Sequence, residues 1–134
     1  MSTDSERFAA RLHQVFDLDE VEAQDRVPRL AKVAQVSKST ARRWLAGQCL
    51  PTDPYRLLRL AKALVVTPDW LVMGRAPSPE AWRALRALEA LQLVKGTRAK
   101  SAVYLAALGD PGAIRAIQRY GAGEIGRDQF LAAL

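Results

Sequence analysis

Leu30-Ala-Lys-Val-Ala-Gln-Val-Ser-Lys-Ser-Thr-Ala-Arg-Arg-Trp-Leu-Ala-Gly47 is the stretch whose spacing decides the fold. Leu30, Ala31 and Val33 or Ala34 mark the inward face of one short helix, and Ala41, Trp44 and Leu45 mark that of a second. Ala31 is small, as two closely crossing helices require, and Val36 plugs the turn between them. Ser37 is the expected cap of the second helix, because its hydroxyl can accept an orphan N–H of a helix beginning at Lys38. Gly47 is free to take positive φ and end that helix. The outward positions are then Lys38, Ser39, Arg42, Arg43 and Ala46. Lys38 and Arg42 lie one turn apart, as do Ser39 and Arg43, so these four side chains share one surface.

Working outward, helical periodicity continues and strand signals are scarce, which predicts an all-α chain. Asp4 or Ser5 can cap a first helix whose apolar face holds Phe8, Leu12, Val15 and Phe16. An acidic stretch follows, and Asp25 is the expected cap of the helix containing Pro28 in its first turn. Beyond Gly47, Pro51 to Pro54 lead into a fourth helix with Leu57, Leu58, Leu60, Ala61 and Leu64 as its buried side. Thr67-Pro-Asp starts a short fifth helix that stops at Gly74. Arg75-Ala-Pro-Ser-Pro is the best linker, giving two expected regions, 1–76 and 77–134. In the second, Ser78 and Pro79 open a helix carrying Trp82, Leu85 and Leu88, and Gly96 breaks it. Further helices are expected from Thr97 to Leu108 and from Pro111 to about Tyr120, with a last segment around Ile125, Phe130 and Leu134.

Charge is unevenly spread along the 134 residues, whose 49% apolar and 25% charged content is that of a globular chain. Residues 1–25 hold two Arg against seven Asp or Glu, a balance of −5. Residues 26–62 hold nine Lys or Arg against Asp53 alone, a balance of +8, for which a polyanion is the natural partner, although charge alone fits a solvated face with no partner equally well. Two short helices joined by a tight turn, the second basic on its outer face, are the parts of a helix-turn-helix. Such a helix can enter the major groove of duplex DNA, where Arg or Lys pairs with guanine O6 and N7.

Leu30 to Gly47 resembles the helix-turn-helix of the Cro and lambda-repressor superfamily, the XRE family. The similarity extends to Leu57-Leu-Arg-Leu-Ala-Lys-Ala-Leu and Asp69-Trp-Leu-Val-Met-Gly74, and so covers about residues 5–74. It implies a five-helix DNA-binding domain followed by a smaller helical region. By the same resemblance Lys38, Ser39 and Arg43 should reach base edges, and Arg42 a base or a phosphate. The segment at Val27 and Pro28 resembles the one whose backbone donors face a phosphate; Pro28 cannot donate, so Val27 or Arg29 must supply that contact. Thr40 and Gln48 are further phosphate candidates. The sequence departs from the family at Gln35 and Val65, where Gly is usual, and at Ala41, where a larger aliphatic is usual. Gln35 predicts a strained or differently shaped turn.

Other signals are weaker. Asp17-Leu-Asp-Glu-Val-Glu lacks the glycine and ligand rhythm of a calcium loop, so a solvated loop is expected and no metal. His13 lies off the apolar face of the first helix and is expected at the surface. Cys49 alone permits no internal disulfide and no cysteine zinc cluster. One His leaves no Ser-His-Asp logic, so no catalytic residue and no cofactor are expected. No apolar run reaches the ~18 residues of a membrane span, and the polar, acidic N-terminus does not read as a secretory signal, so the cytoplasm is the expected compartment. The apolar stripe that includes Trp82, Leu85 and Leu88 is either an intersubunit seam or the core of a second helical unit. The resulting expectation is a sequence-specific, dimeric transcriptional regulator of duplex DNA, with Trp82, Leu85 and Leu88 at the homodimer interface. The alternative is an antitoxin-like or adaptor protein whose C-terminal helices bind a protein partner.

Overall fold

The computed structural model describes residues 2–90 and 111–133. Every regular element among them is helical. The chain divides into two compact units, Met1–Arg75 and Ala76–Leu134. No described helix is long and apolar enough to cross a membrane.

The first unit holds α1 (Asp4–Leu18), a 3-10 turn (Ala23–Asp25), α2 (Arg26–Ala34), α3 (Lys38–Leu45), α4 (Pro54–Leu64) and α5 (Pro68–Met73). α2 packs on α3 and α4, α1 on α3 and α5, and α4 on α5. Their inward faces close one core that includes Phe8, Leu12, Phe16, Leu30, Trp44, Leu60 and Leu71. Arg11 ties α1 to the last turn of α5 by donating to the Leu71 and Val72 carbonyls. Burial, and after it Arg7, lower the Arg11 pKa, while Asp4 opposes them.

Local chemistry sets the helix ends. Thr3, and not Asp4 or Ser5, caps α1: its Oγ1 accepts the Glu6 N–H and donates to Glu6 Oε1. Thr3 and Glu6 thus pair around the first turn, with the cap one residue before Asp4. Ser37 accepts the Thr40 N–H, Asp53 that of Tyr55 and Thr67 that of Trp70. Asp25 occupies the cap position of α2 but its side chain makes no capping bond. Its backbone is already helical, because the 3-10 turn runs straight into α2. On α4, Leu58 is 52% exposed and not on the buried side. Leu60, Ala61 and Leu64 define that side, and at about 100° per residue Leu58 stands outside their arc.

The second unit is described by α6 (Pro79–Ala90), α7 (Pro111–Gly121) and α8 (Arg127–Ala133). Ser78 caps α6 by accepting the Ala81 N–H. Ala81, Leu85, Ala116, Ile117 and Phe130 form its core, and the Tyr120 ring stacks on Phe130 with centroids 4.5 Å apart. The helix expected from Thr97 to Leu108, and the break at Gly96, lie outside the described residues.

Candidate nucleic-acid interface

α2, the turn at 35–37 and α3 form the region where the basic residues concentrate. Gln35 closes α2 in the left-handed conformation, φ 56° and ψ 48°. Its N–H and that of Val36 both return to the Ala31 carbonyl, so the turn is tight although no glycine is present. Arg59 on α4 donates to Gln35 Oε1 at 3.1 Å, which holds the strained residue from outside. The second expected glycine position, Val65, is also left-handed, φ 56° and ψ 55°.

α3 is held by its inner face. Ala41 is fully buried and Trp44 is 3% exposed, while Leu45 packs against the same core. Gly47 follows at φ 75°, and a Cβ there would stand 3.1 Å from the Glu6 Cα of α1. Glycine is required twice over at this point, for the backbone angle and for the approach of α1.

The outer face carries Lys38, Ser39, Arg42, Arg43 and Ala46, all exposed. Three of those five side chains are cationic. Asp53, the single acid among residues 26–62, is engaged at the start of α4. Thr40 is half-buried at the edge of this face. Its Oγ1 accepts from Ser37 Oγ at 3.0 Å and more loosely from Arg43 at 3.5 Å, leaving its own hydrogen to donate. Gln48 and Arg29 are exposed. The Val27 side chain packs against the core, so any contact it makes with an anion falls to its backbone. The amide of Arg26, just before it, is already donated to the Ala23 carbonyl.

His13 corrects the expectation of a surface residue: it is half-buried. Ala9 one turn before it and Phe16 one turn after it are both buried, which puts His13 on the margin of the core face. Its Nε2 lies 3.0 Å from the carbonyl oxygen of Leu45, the last residue of α3. Arg26, the first residue of α2, stands with Nη1 3.0 Å from His13 Nδ1. A carbonyl only accepts and a guanidinium only donates, so these two contacts fit the tautomer that carries its hydrogen on Nε2. Arg26 also donates from Nε to the Val21 carbonyl at 3.0 Å and from Nη2 to Asp17 Oδ1 at 2.5 Å. The Arg26 side chain is 15% exposed and that of Asp17 69%. In the sequence Arg26 is marked only by its charge.

In the second unit, Leu85 lies in that unit's own core, and Trp82 is half-buried with the Arg86 guanidinium 5.9 Å from its ring centre. The Leu88 side chain lies outside the described residues. Comparison with protein-family models, with curated proteins and with solved structures found no match.

Proposed function

We propose that this chain is a sequence-specific, double-stranded DNA-binding transcriptional regulator, a dimeric repressor of phage or mobile-element type with a lambda-repressor-like DNA-binding domain. The observation that carries the reading is the outer face of α3, where Lys38, Ser39, Arg42 and Arg43 are exposed on a helix whose other face is buried. A short, rigidly seated helix with cationic forks outward fits the major groove, where an Arg or Lys pairs with guanine. Phosphates flanking the groove are taken by Arg29, Thr40, Gln48 and the Val27 backbone, which fix register without reading sequence. Repression needs no catalysis and no cofactor, since a bound protein excludes polymerase by occupancy.

A single α3 spans too few base pairs to define an operator, so two copies reading an inverted repeat are part of the proposal. Their contact is assigned to the region beyond Pro77. With Leu85 inside the second unit's core, Trp82 is the better candidate of the described side chains for that contact.

Titrating the protein onto duplex DNA at rising salt tests the activity class. Each phosphate neutralised contributes about −0.9 to the slope of log affinity against log salt, so several contacts per subunit predict a steep fall. A nearly flat response contradicts the proposal and points to a protein partner instead.

A further inference from the structure

We infer that His13 and Arg26 are positioning residues that set where α3 lies relative to the start of α2, and so control discrimination between DNA sequences more than affinity for DNA. The inference rests on the DNA-reading role proposed for α3.

The carbonyls in the last turn of a helix have no donors within the helix. His13 satisfies one of these at Leu45, while Arg26 holds the other ring nitrogen from the first residue of α2. A continuous polar link thus runs from the end of the helix that would read bases to the start of the helix that would meet a phosphate. Arg26 is itself located by the Val21 carbonyl and by Asp17. Apolar packing of Ala41 and Trp44 keeps α3 on the core, but the hydrophobic effect that drives it is non-directional and adds no directional restraint at the helix end. Hydrogen bonds of fixed geometry supply that restraint, and a binding constellation needs its parts held to within about 0.5 Å. Lys38, Ser39, Arg42 and Arg43 make none of these bonds, so the link is separate from the groove-facing surface.

The chain has one histidine, so ring nitrogen signals need no assignment. In mildly alkaline buffer, nitrogen-15 spectra of the full-length protein should report a neutral ring protonated at Nε2; protonation at Nδ1 overturns the inference. Binding supplies the functional arm, with a duplex selected by the wild type compared against random duplex. His13→Ala should lower the ratio of the two affinities by about tenfold, the worth of a hydrogen bond to a charged group, and leave random-duplex binding in place. His13→Gln offers both an amide donor and an amide acceptor and should restore most of the ratio. Should His13→Ala fail to fold, Arg26→Lys carries the same test, since one ammonium cannot reproduce the guanidinium's fork to three acceptors. An unchanged ratio in a folded variant overturns the inference, as does equal loss of selected and random binding, which would mean that His13 acts through stability alone. A wild type that prefers no duplex at all is a different failure: it removes the DNA reading itself, and the inference falls with it.

Discussion

Val65 and Gln35 share a backbone conformation that ordinary side chains avoid, and each resolves it differently. Gln35 has Arg59 to hold its amide, whereas Val65 is β-branched and 41% exposed. Left-handed angles cost a branched residue about 1–2 kcal/mol. Val65→Gly should therefore stabilise the first unit by about 0.5–1 kcal/mol after the entropy of glycine in the unfolded chain is deducted. Thermal melting should rise by several degrees; an unchanged or lower midpoint would show that Val65 contributes packing that outweighs its strain. The resemblance marked both positions as departures from glycine, and for Gln35 a strained turn was legible in the sequence. His13 was not. Its role depends on Leu45 and Arg26, far apart in the chain, and no local pattern states that a residue on the margin of a helical face will meet two such partners.

Among the elements, α3 depends strongly on its own termini, being only eight residues long. So short a helix is not stable in isolation, and its cap and its buried face must both contribute. Ser37→Ala removes the acceptor for the Thr40 N–H and should cost about 1 kcal/mol in chemical denaturation. Duplex binding should weaken with it, because the hydroxyl also orients Thr40. Stability equal to the wild type would show that water replaces the cap at no cost. The helix boundaries around α3 could be read from Ser37 and Gly47 because capping is local chemistry. At α2 the same logic failed for Asp25, since a preceding 3-10 turn changed the backbone angle on which capping depends. Leu58 was misplaced for a similar reason: a run of leucines fixes a helix but not which of them its neighbours will cover.

At the scale of the whole molecule, two units with separate cores imply separable roles. Removing residues 75–134 should leave a folded monomer that holds half-sites weakly, and the full chain should sediment as a dimer. A truncated form that still dimerises would move the contact to the first unit, where Tyr55, Leu58 and Met73 are exposed. The charge asymmetry that first suggested a polyanion belongs to this scale too, and it was readable because it needs no fold. The seam assigned to Trp82, Leu85 and Leu88 was less so, since a leucine stripe looks alike whether it meets its own chain, as Leu85 does, or another.

Selection of binding sites from random duplexes, run in parallel on the wild type and Arg43→Ala, tests the central claim most directly. The wild type should enrich an inverted repeat with half-sites about 34 Å apart. Arg43→Ala should lose about 1–3 kcal/mol on that site and relax the preference at one base position in each half. No enriched sequence, or the same sequence bound with full affinity by the variant, would contradict the assignment of the exposed face of α3 to the reading of DNA.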